Sequence, residues 1–269
     1  MAADSPARSV PFFNYQQAFT MHEEEYVRIF RGVMRRGAFI MQQDLQEFEA
    51  SVAAYLGVGH GIGVGNATDA LEILMAAKGI GPGDEVIFPS HTMVASPGSV
   101  VAIGATPVPV DCGPDHLMDP AAIEPAITAR TKAILPVHLN GRTCDMDRIQ
   151  AISNKHGLMI VEDSAQGLGS RYKGRFAGTF GVGGVFSFYP AKILGCMGDG
   201  GMIVTDDAAL AKLGINQLPQ SLADALRAME QSELVQEALG EHIFEWFLRN
   251  KRHEWRAYKT HVSQWELDR

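Results

Sequence analysis

Between residues 57 and 205 the chain alternates short apolar runs with amphipathic stretches. The runs are GIGVG (61–65), DEVIFP (84–89), TPVPVD (106–111), KAILPV (132–137), LMIVED (158–163), GVFSF (184–188) and GMIVT (201–205). Most are almost wholly apolar, the pattern of strands covered on both faces. Helical stretches at about 68–78, 119–129 and 145–156 fall between several of them. This alternation predicts an α/β domain built on a mostly parallel sheet. In such sheets ligands bind beyond the carboxyl ends of the strands, so the functional residues are expected there.

The flanks read differently. Residues 16–56 are predicted helical, with Phe48, Val52 and Tyr55 on one stripe at the helix period. After Lys212 no strand pattern continues. Leu222, Leu226 and Met229 share a helical face there, and Ser221 with Asp224 has the spacing of a capping pair. All the tryptophans, Trp246, Trp255 and Trp265, fall in this tail. The shifts predict one domain over 1–213 and an all-helical tail over 214–269.

A net charge of −8 argues against a general surface for nucleic acid or anionic membrane. No uninterrupted apolar stretch is long enough for a bilayer span, and MAADSPARSV lacks the layout of a secretory signal. Cys112, Cys144 and Cys196 have neither zinc-site nor disulfide spacing. Reduced thiols in a cytoplasm and no metal site are expected.

The strand ends carry a limited set of polar residues. GVGNATDALEIL (63–74) runs from a glycine-containing strand end into a helix. Thr68 is a candidate cap, and the N–H groups of Ala67, Thr68 and Asp69 could hold a phosphate; a plain N-cap explains the same residues. Gly59, Gly61, Gly63 and Gly65 do not match a dinucleotide fingerprint. Asp163 closes a strand, where it either turns the chain or faces a cationic ring nitrogen. Glu162 alternates to the other side and reads as structural. Lys192 lies in FSFYPAKILGCMGDGG (186–201), between an apolar run and glycines. Alone it reads as a solvated lysine. With Ser187, Asp163 and Thr68 it completes a set that pyridoxal 5′-phosphate requires: a phosphate cup, a carboxylate for the pyridine nitrogen and an amine for the aldehyde.

Residues 10–213 resemble the DegT/StrS family of nucleotide-sugar aminotransferases, of the fold-type-I class. The likeness rests on GAFIMQQDLQEFEASVAAYLGV, GVGNATDALEI, GDEVIFPSHT, ILPVHLNGRTCDMDRI, IVEDSAQGLGS and FSFYPAKILGCMGDGGMIVTDD. The resemblance implies Lys192 as the cofactor-bearing lysine and Asp163 as the partner of the ring nitrogen. It implies Gln166 beside the ring hydroxyl, and Ala67, Thr68 and Ser187 as the phosphate cup. The family commonly stacks an aromatic residue on the ring; here Met93 holds that place, with His91 as the alternative. VHLNG (137–141) resembles a segment that often reads V-H-L-Y-G. That likeness makes His138 and Asn140 candidate substrate contacts, the latter altered. The implied reaction is ping-pong transamination of a nucleotide-linked keto-sugar by glutamate or glutamine, in a homodimer with shared sites. Sugar dehydratases of the family usually replace the lysine by histidine, so Lys192 points to transamination.

Family members usually continue into a small domain, which is expected to be missing here. LPQSLADAL, LGEHIFEWFLRNKRHEW and HVSQWEL instead resemble the C-terminal end of bacterial type-I glutamine synthetase. The chain thus reads as a junction of two fragments near Gly214. Two alternatives to an active enzyme follow: a cofactor-binding but inactive chimera, or an association module built from the tail.

Overall fold

The structure, a computed structural model, describes residues 11–38, 42–213, 230 and 240–260. The predicted N-terminal helical region resolves into α1 (Tyr15–Thr20), α2 (Glu23–Arg36) and α3 (Gln43–Leu56). α2 has Glu23, Glu24 and Glu25 in its first turn and Arg35 and Arg36 in its last, matching both ends of the helix dipole. α3 buries Val52 of the predicted stripe, together with Ala53 and Leu56. Phe48 meets Phe188 edge-on at 5.0 Å, and Tyr55, although exposed, lies 4.9 Å from the ring of Phe176.

The alternating region follows as β1 (His60–Val64), α4 (Ala67–Ala77), β2 (Glu85–Pro89), α5 (Ala95–Ala102), β3 (Thr106–Val110), α6 (Pro120–Ile123), β4 (Thr131–Ile134), α7 (Met146–His156) and β5 (Met159–Asp163). A hairpin, β6 (Arg171–Tyr172) and β7 (Arg175–Phe176), leads to β8 (Gly183–Ser187), β9 (Gly201–Thr205) and α8 (Ala208–Leu213). The sheet order is β1-β9-β8-β5-β4-β2-β3. All pairings are parallel except those of β9, which runs antiparallel to both β8 and β1. β9 follows β8 without a crossover helix, so it can only turn back beside it. The fold is the expected α/β class.

Three local expectations are corrected. α5 stands where no helix was expected, because Pro97 and Gly98 mask it; Pro97 lies in the first turn, where a missing N–H breaks no intrahelical bond. The helix expected over 119–129 shortens to α6 and a 3₁₀ turn, Glu124–Ala126, because Pro125 disfavours continuation. β4 stops at Ile134, and Val137 makes only an isolated bridge to Asp163.

One core cluster gathers Ile87, Ile134, Met146 and Ile149 under α7; another joins Val52 and Leu56 to Phe186, Met202 and Val204. Between them Glu162 is fully buried. Its Oε1 accepts from the N–H groups of Phe180 (2.5 Å) and Gly181 (2.7 Å). Its Oε2 accepts from Gly178 N–H (2.7 Å) and lies 2.9 Å from His138 Nε2. Cys144 N–H donates to His138 Nδ1 at 3.2 Å, so Nε2 carries the proton directed at Glu162.

The chain divides into two compact units, Met1–Gly214 and Ile215–Arg269. In the second, the helix Glu241–Thr260 buries Phe244 and Leu248, one turn apart, while Trp246 is exposed. The expectations for Ser221, Leu222, Asp224, Leu226, Met229 and Trp265 lie outside the described residues. Among the described residues, no helix is long and apolar enough to cross a membrane, and no cluster of metal-ligating side chains occurs.

Two predictions follow from these contacts. Glu162→Gln turns an NH₂ group toward existing donors; it should cost about 3 kcal/mol or more in denaturant unfolding, and a loss below about 1 kcal/mol would refute the role given to this carboxylate. Asp207 accepts from Lys78 Nζ at 2.6 Å and caps α8 through the N–H groups of Leu210 and Ala209. Its pKa falls from 3.8 to about 2, through the Lys78 contact first and then the two amides. The resulting stabilisation is complete above the unfolded-state value and is lost as pH falls through about 2. Asp207→Asn should therefore flatten the acid limb of the melting temperature between those values and leave its slope near neutrality unchanged.

Candidate active site

β1, β2, β5 and β8 run in the same direction, so their carboxyl ends share one edge of the sheet. β9 begins at that edge: Gly201 pairs with both Val64 and Ser187. The segments leaving these strand ends build the site.

The first is the start of α4. Asn66, not Thr68, is the N-cap; its Oδ1 accepts from Asp69 N–H at 2.9 Å. This corrects the expectation for Thr68 and removes the Asp69 N–H from the anion cup. Among the described residues, the N–H groups of Ala67 and Thr68 stay open in the first turn, where the helix dipole favours an anion. Ser187, at the end of β8, accepts from Tyr189 N–H at 3.3 Å, which leaves its hydroxyl proton to donate. Gly201 lets β9 come this close. A Cβ there would sit 2.4 Å from the carbonyl carbon of Asn66 and 2.7 Å from the nitrogen of Ala67.

The second is Asp163, the last residue of β5. Strand alternation turns it away from Glu162 and toward the cavity. Although buried, it is held at both oxygens: Oδ2 accepts from Ser96 Oγ at 2.7 Å and Oδ1 from Ala165 N–H at 3.1 Å. Three residues on, Gln166 Oε1 accepts from the backbone N–H of Asn140 at 2.9 Å. That bond fixes the amide so that its NH₂ is the end left to donate.

The third is the segment after β8, where Lys192 N–H donates to Tyr189 O at 2.8 Å. The half-buried Lys192 Nζ has no hydrogen bond or ion pair among the described residues. These segments enclose a cavity of about 690 Å³. Ala67, Thr68, Met93, Asp163, Gln166, Ser187 and Lys192 all line it, and Lys192 is the one basic side chain among its described lining residues.

Three expected site residues do not line it. His91 is exposed, with Nδ1 3.4 Å from the carbonyl of His116. His138 is a correction: fully buried, with both ring nitrogens engaged by Glu162 and Cys144, it cannot touch a substrate. Asn140 is exposed and acts here through its main chain, in the left-handed region at φ 55°. Asparagine adopts that region more readily than tyrosine. Sequence reasoning missed Ser96, because the helix that carries it was not expected. It also missed Phe13, Tyr189 and Asp199, which line the cavity from segments without a regular pattern.

Comparison with known proteins agrees with this architecture. The sequence profile of the DegT/DnrJ/EryC1/StrS aminotransferase family matches residues 20–229, and that of the glutamine synthetase catalytic domain matches residues 201–269. A dTDP-3-amino-3,4,6-trideoxy-alpha-D-glucose transaminase of Streptomyces venezuelae is 46% identical over 213 residues, covering 79% of this chain and 56% of the relative. The crystal structure of S. venezuelae DesV in complex with a ketimine intermediate superposes with a TM-score of 0.74 at 46% identity, over 77% of this chain and 58% of that one. NtdA of Bacillus subtilis with bound cofactor PMP superposes at 0.72 with 36% identity, over 78% of this chain and 49% of that one. The chain thus spans about half the length of the relatives it matches. With the family profile matched from helix α2 through the strands that build the cavity, the chain belongs to the DegT/DnrJ/EryC1/StrS aminotransferase family.

Proposed function

We propose that this chain is a pyridoxal 5′-phosphate-dependent aminotransferase that aminates a keto-sugar carried on a nucleotide diphosphate, with glutamate or glutamine as donor. The observation that carries the reading is the meeting of Lys192, Asp163 and the α4 N-terminus in one cavity. The donor set fits the cofactor: two open amides and a hydroxyl for a phosphate, a fixed carboxylate for a ring nitrogen, and an amine without a partner among the described residues. The family is one that depends on this cofactor, and a structural relative contains its amine form.

When bound, pyridoxal phosphate supplies an electron sink for the bonds broken at the substrate carbon. The amides of Ala67 and Thr68 and the hydroxyl of Ser187 would hold the phosphate. Asp163 would keep a proton on the ring nitrogen, and the Gln166 amide would donate to the ring hydroxyl. Met93, on the cavity wall, would offer a ring face a polarizable thioether. Lys192 Nζ would hold the aldehyde and, once displaced from it by the donor's amino group, would be free to move the proton at the substrate carbon as general base.

Tyr189, Ile193, Leu194 and Met197, near this mouth, are exposed apolar residues. They support a homodimer in which a second copy covers the site. The unpaired cysteines fit a reducing cytoplasm. The glutamine synthetase match over 201–269 favours a second reading, a chain that binds the cofactor without turning it over.

Purified protein should show the absorbance band of lysine-linked cofactor, and glutamate should bleach it as the amine form accumulates. A band that persists with glutamate and with glutamine selects the second reading. Lys192→Ala should abolish the band. Lys173→Ala should keep it, because Lys173, in the hairpin turn, pairs with Asp147 of α7 and does not line the cavity. A band retained in Lys192→Ala would overturn the assignment. Gly201→Ala should weaken cofactor binding about tenfold or more by displacing the cup amides, measured by absorbance titration; unchanged affinity would remove α4 from the phosphate site.

A further inference from the structure

Two hydroxyl groups stand behind the Asp163 carboxylate. Ser96, in the first turn of α5, is fully buried and donates to Asp163 Oδ2 at 2.7 Å. A serine hydroxyl has a single proton, and in this geometry it is committed to the carboxylate. Thr92 Oγ1 lies 2.7 Å from Ser96 Oγ, so Thr92 must be the donor in that contact. The protons therefore all point one way, from Thr92 to Ser96 to Asp163. Each donor in such a chain polarises the next. The other oxygen, Oδ1, takes the Ala165 amide. Rotation of the carboxylate about its own axis would break both bonds.

We infer that Thr92 and Ser96 are positioning residues for the cofactor: a directed hydroxyl relay holds the plane of the Asp163 carboxylate toward the ring nitrogen. The inference rests on the pyridoxal phosphate reading above and adds to it the residues that orient its acid. The relay ties the site to α5, so the loop after β2 and the end of β5 are held as one unit. Its members come from segments about seventy residues apart in sequence, as the 67-residue separation of Ser96 and Asp163 shows.

The test is an absorbance titration of the ligand-free full chain with pyridoxal 5′-phosphate, with thermal melting recorded beside it. Ser96→Ala should raise the dissociation constant about tenfold, the effect of removing one hydrogen bond to a charged group. Thr92→Val should raise it about threefold, because it removes a donor one bond further away. Ser96→Thr, which keeps the hydroxyl, should restore most of the affinity. Ser99→Ala is the control. Ser99 is equally buried on the same helix, but its hydroxyl donates to the Ser96 carbonyl at 2.9 Å and not to the carboxylate. It should leave the dissociation constant at the wild-type value. Wild-type binding that does not depend on Lys192 overturns the cofactor reading itself. Wild-type binding that is Lys192-dependent, together with Ser96→Ala within twofold of wild type or Ser99→Ala equally weakened, overturns the relay alone. Should Ser96→Ala melt too low to titrate, Thr92→Val decides by the same criterion.

Discussion

A carboxylate without access to water, Glu162, sets the frame on which the site depends. Burying such a charge costs several kcal/mol unless its lone pairs are filled. Here three backbone amides and an imidazole fill them. The amides belong to the turn at Gly178–Gly181 that feeds β8, and the imidazole to the segment beside β5. One side chain thus fixes the approach to β8 and the course of residue 138 against β5. Because strand side chains alternate, anchoring Glu162 on one face obliges Asp163 to occupy the other. The acid proposed to face the cofactor is placed by the acid beside it.

The same economy operates at the α4 end. A helix N-terminus offers open amides to an anion, and a strand end brought close to it can add a further donor. β9 runs antiparallel between β1 and β8, and its first residue pairs with the last residue of each. A side chain at that position would meet the Asn66–Ala67 peptide, so glycine at 201 is a packing requirement of the close approach between β9 and the start of α4. The reversal of β9 therefore does more than close the sheet. It brings Ser187 and the start of α4 to one strand end.

Strand positions were legible from the sequence because buried parallel strands are continuous apolar runs, and LMIVED or GVFSF permits little else. Lys192, Asp163, Gln166 and Ser187 were legible for the same reason, as polar residues where such runs end. What was not legible depended on burial and on direction. His138 belongs to a motif with a family likeness, but motif letters do not say that the ring is sealed in the core. Thr68 looked like a cap because Asn66, one residue past Gly65, could equally have belonged to the turn; backbone geometry chooses Asn66, whose extended conformation aims Oδ1 at Asp69 N–H. Ser96 was hidden by Pro97 and Gly98, residues that usually end helices but are harmless in a first turn.

The two departures from the family pattern act through different physical quantities. At position 140 the main chain does the work: its N–H holds Gln166, and a left-handed φ of 55° is what the residue must supply. Asparagine meets that demand, so losing a tyrosine there need not disturb the amide of Gln166. At position 93 the side chain does the work, because Met93 is itself on the cavity wall and 62% exposed. An aromatic ring would present one rigid face, whereas methionine has several rotatable bonds and fills space only when something packs against it. The wall beside Asp163 is therefore pre-organised by the hydroxyls of Thr92 and Ser96, while Met93 is left to adapt. The cavity wall carries Met93 and Tyr189, both exposed, and these apolar side chains gain from a covering surface.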